Sequence, residues 1–283
     1  IAIAGLLPAY SNAKSDRLAE VRKLKAIVLD ESVKVDIRAA ALSILGLEYN
    51  YSSATPEVFA EVYSGAPFDT YLVKNDPEQS QFNMERASYE MFPSTVAAIA
   101  AAQAAAEAFF SAPNLSEQQR AQYIAHAEDF LKKADAALLH DADDNYAYAD
   151  SSRFRTYREY RAGVVGRLAI AKGEPYREQY QREYEDYFTI MASKNREISP
   201  TVRLQYARIL MKDNQTDAAR EQLGLIVQAI NAHKDQAEMP FLRYLYNERA
   251  ARPNGVLIND VKKLAEISPE FKATMLKAVD LAQ

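Results

Sequence analysis

A chain of 283 residues and 31.7 kDa, with 48% hydrophobic and 26% charged residues, can bury a sizeable core, which excludes a wholly disordered protein. Only 8 Gly and 11 Pro stand among many Ala, Leu, Glu, Gln, Lys and Arg, a composition of good helix formers that argues against an all-β fold. The net charge of -5 with interspersed Lys and Arg offers no basic stripe for nucleic acid, and the absence of Cys removes disulfides, thiolate metal sites and cysteine nucleophiles.

The chain opens on IAIAGLLPAY, an uncharged apolar run followed by Ser11-Asn12-Ala13 and the charged Lys14-Ser15-Asp16-Arg17. Spanning a bilayer takes about 20 apolar residues, so this run is too short to do so alone. Residues 1–13 therefore read as the tail of a signal peptide cut at Ala13, as the outer end of a membrane anchor, or as a buried first helix. The first two readings place the chain outside the cytoplasm, periplasmic or at the cell surface, and the second also attaches it to a membrane through its N-terminus.

Beyond Ala13 the helix starts are legible. An N-cap oxygen satisfies an orphan backbone donor, and Pro at the next position loses nothing. Thr55-Pro56, Ser199-Pro200 and Ser268-Pro269 have this form, with Glu57 and Glu270 adding charge that the helix dipole favours. Further starts are expected at Asp16, Asp30, Ser94, Ser116 and Glu174-Pro175. Apolar residues recur at three and four, as in Leu18, Val21, Leu24, Ile27 and Val28. Helices are thus predicted over 15–29, 31–46, 55–64, 77–92, 94–111, 116–139, 150–172, 175–193, 200–212, 215–233, 236–250, 257–267 and 269–282, with no strand. The segment 65–76 reads as a loop or short helix with Phe68, Tyr71 and Leu72 packed inward. The Ala-rich stretch from Val96 to Phe110 reads as a central packed helix, since small side chains let neighbours approach. Short connections make successive helices antiparallel hairpins over 14–283, with a sub-boundary near 113.

Segment 200–234 resembles a tetratricopeptide repeat, the 34-residue helix-turn-helix unit. Ala207 and Ala219 take its small positions, Asn214 its turn, and Leu210 and Leu223 its large packing positions; the customary Trp is missing, and Asn231 stands where the terminal Pro would fall. A second unit over 159–193 puts Gly166 near the helix crossing and Gly173-Glu174 in the turn, with Glu178 where a small residue is expected. The resemblance covers about a quarter of the chain. It implies an all-α fold of antiparallel hairpins stacked as a tetratricopeptide-like right-handed solenoid, whose relatives bind proteins or peptides along a concave face.

Chemistry-bearing motifs are few. Asp141, Asp143, Asp144 and Asp150 cluster beside His140 like hard-cation ligands, yet an EF-hand needs Gly and Glu where Tyr146 and Ser152 stand. In the aspartate-rich motif of helical terpenoid synthases a third carboxylate would fall at Ala147. His126, His140 and His233 are not spaced as zinc or di-iron ligands, and neither a nucleophile elbow nor a phosphate loop occurs. No cofactor, metal or catalytic residue is assigned.

Residues 146–188 are rich in Tyr and Arg, the residue types of binding hot spots. Tyr176, Tyr180, Tyr184 and Tyr187 repeat at four, four and three along one helix face, either as core packing with phenols reaching the rim or as an exposed recognition face. Tyr157, Arg158, Arg161, Tyr176, Tyr180 and Tyr184 are the expected partner-binding residues. The functional expectation is a non-enzymatic protein- or peptide-binding helical scaffold, extracytoplasmic and membrane-associated. Its rivals are the helical C-terminal domain of a multi-pass glycan polymerase or oligosaccharide transferase, and an α-helical enzyme acting on glycan or lipid through Asp143, Asp144 and Glu183.

Overall fold

The computed structural model describes residues 3–48, 56–74, 76–112, 115–142, 152–232, 240–251 and 255–279. Among them every regular element is helical. In chain order these are α1 (Ile3–Leu29), α2 (Val35–Glu48), α3 (Pro56–Val62), a 3-10 turn (Phe68–Tyr71), α4 (Pro77–Met91), α5 (Thr95–Ser111) and α6 (Glu117–Ala142). There follow α7 (Ser152–Lys172), α8 (Tyr176–Ser193), α9 (Pro200–Lys212), α10 (Thr216–Ala232), α11 (Pro240–Ala251), α12 (Val256–Ile267) and α13 (Pro269–Val279).

Side-chain oxygens cap many of the helix starts, whereas α8 and α12 begin after Pro175 and Gly255 with no side-chain cap. Asp76 accepts from the Gln79 N–H at 2.9 Å with Pro77 as the first helical residue, Ser94 accepts from Ala97, Ser199 from Thr201, and Ser268 from Phe271. At α6, Ser116 accepts from the Gln119 N–H at 3.2 Å while its own N–H donates to Gln119 Oε1 at 3.0 Å, a reciprocal box that satisfies two orphan donors. Thr55 lies outside the described residues.

Two expected starts fall elsewhere. Helix α1 runs unbroken through Asp16 from Ile3, so the apolar segment is continuous with the amphipathic one. Asp30 folds into a turn instead, accepting from the Ser32 N–H at 2.9 Å and its hydroxyl at 2.6 Å, and α2 begins only at Val35. Among the described residues no helix is long and apolar enough to cross a membrane.

The helices enclose two apolar cores that meet on α4. The smaller joins Val21 and Val28 of α1, Leu42 and Leu45 of α2, Val58 and Val62 of α3, Phe68, and Met84 of α4. Phe68 is buried and Tyr71 half-buried as the sequence suggests, but Leu72 is exposed. The larger takes Phe82 from α4 and then α5 through α13. Helices on both sides of residue 113 share this second core. Helix α5 lies against α4, α6 and α7, and its Ala98, Ala101, Ala102 and Ala105 are fully buried, since only a methyl-lined helix can be approached so closely from several sides.

The hairpin of α9 and α10 places Ala207, Leu210, Ala219 and Leu223 in the core, with Asn214 turning the chain at φ 60°. Gly166 of α7 allows a different contact: a Cβ there would come within 2.7 Å of Ile209 Cδ1 on α9 and 3.5 Å of Tyr184 Cε2 on α8.

Candidate functional site

The densest polar constellation lies inside the larger core. Along α5, Gln103, Glu107 and Ser111 stand four residues apart and form one polar stripe on an otherwise alanine-rich helix. Arg167 of α7 reaches that stripe, pairing with Glu107 and donating from Nη1 to Gln103 Oε1 at 3.3 Å and to the Gly163 carbonyl at 3.0 Å. Arg208 of α9 donates from Nε to Asp260 Oδ2 of α12 at 3.0 Å and from Nη2 to Ser111 Oγ at 3.3 Å, and its Nη1 lies 3.9 Å from Glu107 Oε1. Lys212 adds a second cation 3.2 Å from Asp260. Around the Phe110 ring, Arg167, Arg208 and Lys212 stand 5.4, 5.0 and 4.2 Å from its centre, within cation–π range.

Electrostatics follow from this placement. Burial alone would raise the Glu107 pKa, but attraction to Arg167 and then Arg208 overrides it and holds the carboxyl at about 2. Burial lowers the Lys212 pKa against the opposing pull of Asp260. A carboxylate held that low is a weak base and stays ionised at neutral pH, so Glu107 is tuned away from general acid–base work there. The network instead ties α5, α7, α9 and α12 in one register.

The expected partner-binding residues go to several places. Tyr157 is buried and donates to Asp135 Oδ1 of α6 at 2.5 Å, and Arg161 donates to the same carboxylate from Nε at 3.1 Å and Nη2 at 3.2 Å. Arg161 also pairs with Glu183 of α8, and Arg158 Nη1 lies 3.6 Å from that carboxylate. Those three expected residues therefore join in one cluster that links α6, α7 and α8. Tyr176 is half-buried and donates to Glu128 Oε1 of α6 at 2.8 Å. Tyr180 is fully buried and donates to Asp213 Oδ2 at 2.8 Å beside the α9–α10 turn, where Arg177 approaches the other oxygen at 3.0 Å. Tyr184 is fully buried and stacks on Tyr206 with ring centres 4.1 Å apart.

The Tyr stripe of α8 is thus core at Tyr180, Tyr184 and Tyr187; the portion of the expected face that reaches solvent is Arg158, Arg161 and Tyr176. Asp143, Asp144 and Asp150 lie outside the described residues, as do the side chains of His140 and Asp141. Among the described residues no group of three or more potential ligands is placed to hold a metal ion.

Solvent meets large apolar side chains elsewhere. Leu29, Val35, Ile37, Ile44, Leu72 and Phe92 are the exposed large hydrophobics among the described residues, and all lie in the N-terminal third. Ile37 (49% exposed) and Ile44 (36%), with exposed Ala40 between them, line one stripe of α2 because seven residues close nearly two helical turns. Sequence reasoning missed both this stripe and the buried one on α5. Polar residues at i, i+4 and i+8 in an alanine helix were the available signal for the latter.

Comparison with protein-family models, with curated proteins and with solved structures finds no match to the chain.

Proposed function

We propose that this chain is a non-enzymatic helical scaffold that binds a protein partner through its N-terminal third. The observation that carries the reading is the α2 stripe of Ile37, Ala40 and Ile44, flanked by exposed Leu29 and Val35 at the α1–α2 turn. Apolar side chains grouped on one helix face and open to water gain free energy when a partner covers them, which is what protein-binding surfaces exploit. The rim of Arg158, Arg161 and Tyr176 is a polar surface on the same scaffold, its side chains partly spent on internal pairing.

A tetratricopeptide-like stacking of hairpins belongs to this proposal. It is supported by the neighbour pattern: α7 packs on α8 and α9 on α10, while α5 packs on α7 and α7 on α9. An extracytoplasmic, membrane-associated setting is part of the same reading and rests on the apolar run Ile1–Tyr10.

The test is a photo-crosslinking residue placed at Ile44 in the native host, with and without Ile37→Glu. A discrete adduct with one protein, lost on Ile37→Glu while the circular dichroism melt is unchanged, is expected. Absence of an adduct at Ile44, or an adduct indifferent to Ile37→Glu, would overturn the assignment.

A further inference from the structure

Glu85 of α4 is fully buried in the smaller core, where a carboxylate is out of place. Its Oε2 accepts from Ser43 Oγ of α2 at 2.7 Å, while Oε1 makes no hydrogen bond to protein. That oxygen occupies the position a Cβ of Gly46 would fill, so α2 is shaped around it. Tyr63, just after α3, is also buried; its hydroxyl makes no hydrogen bond to protein, and its pKa is raised by burial and by Glu85. One turn along α4, Ser88 Oγ donates to the Ala39 carbonyl of α2 at 2.8 Å, a second buried polar contact in the otherwise apolar α2–α4 seam.

Nearby charges turn elsewhere. From α1, Arg22 pairs with Glu61 and Lys25 donates to the Glu61 and Ser64 carbonyls; from α2, Arg38 donates to the Val28 carbonyl; from α4, Arg86 pairs with Glu90. Burial, and then Glu90, raises the pKa of the Tyr71 phenol in the 3-10 turn. Among the described residues, Ser43 and Tyr63 are the polar groups that act with Glu85.

We infer that Glu85 is a pH-sensitive latch: neutral, it lets α2 close on α4, and ionised, it releases the α1–α4 unit, Phe82 included, while α5–α13 stay folded. This goes beyond the binding reading and holds whether or not α2 carries a partner. Burial pushes the Glu85 carboxyl up to about 8, against the lowering effect of the Ser43 hydrogen bond. In an opened unit it returns to the ordinary 4.5. Between those values the open state binds fewer protons, so each pH unit favours opening about tenfold, and the effect levels off above the folded value.

The test is hydrogen exchange of the full chain at pH 6 and pH 9, corrected for intrinsic rates and read separately for α2 with α4 and for α7–α10. Protection of α2 and α4 should fall about a hundredfold from pH 6 to 9 while α7–α10 hold. Glu85→Gln should remove that dependence. Ser43→Ala, which deletes the bond favouring the charged form, should move its midpoint to higher pH, a readout available even if the glutamine variant does not fold. Flat protection in the wild type, persistence of the dependence in Glu85→Gln, or parallel loss from α7–α10 would overturn the proposal.

Discussion

Replacing Arg208 tests whether the buried charges hold the larger core together. Its guanidinium is 2% exposed and serves Asp260, Ser111 and Glu107 from one position. Arg208→Met keeps the apolar stem but leaves Lys212 as the cation beside Asp260 and Arg167 as the cation beside Glu107. Breaking a buried pair by removing one partner costs about 3–5 kcal/mol, because the other charge stays desolvated. The surviving cations place this case near the lower end, about 3 kcal/mol. Adding Asp260→Leu removes the stranded carboxylate, and the double variant should recover to within about 1 kcal/mol of wild type. Urea unfolding followed by far-ultraviolet circular dichroism measures both, since the chain has no Trp to report by fluorescence. A single variant costing under about 1 kcal/mol, or a double variant no better than the single, would refute the reasoning.

Acid should destabilise the same core. Glu107 is held at about 2 against an ordinary 4.5, so its contribution is complete above 4.5 and is lost as pH falls through about 2. The span amounts to at most about 3 kcal/mol, less whatever water reaches a side chain that keeps a quarter of its surface; Glu107→Gln should flatten this limb of a melting-temperature profile between pH 2 and 6. Arg161→Glu places a third carboxylate beside Asp135 and Glu183 and should cost about 2–4 kcal/mol by urea unfolding, so lost partner binding in that variant reports misfolding. Gly166→Ala should destabilise by about 1 kcal/mol despite better helix propensity, because the new methyl meets Ile209 Cδ1; Ile209→Val should be harmful in the wild type and neutral or helpful beside Gly166→Ala.

Local chemistry was readable in the sequence, and long-range pairing was not. Ser94, Ser116, Ser199 and Ser268 each cap the helix expected of them, because an N-cap is settled within four residues. Asp16 has the same chemistry but sits mid-helix, since a continuous turn of hydrogen bonds outweighs one cap. Asp30 bonds to Ser32 two residues on, a local alternative that delays α2 by one turn. The period of Tyr176, Tyr180, Tyr184 and Tyr187 marks a single face correctly, yet periodicity does not say what covers a face; α9 does, through Tyr206 and Asp213. The partners of the α5 stripe were hidden for a similar reason. Glu107 finds Arg167 sixty residues away and Arg208 finds Asp260 fifty-two away, so only folding reveals that these isolated charges are partners.

The proposed division of labour is between interior charges that hold the helices and exposed apolar side chains that would bind a partner. Measuring partner capture and melting temperature together on Ile44→Glu and Arg208→Met tests it most directly. Ile44→Glu should lose the partner at unchanged melting temperature, while Arg208→Met should melt earlier but still capture the partner in the cold. The reverse pattern, with capture surviving Ile44→Glu and lost in a fully folded Arg208→Met chain, would contradict it.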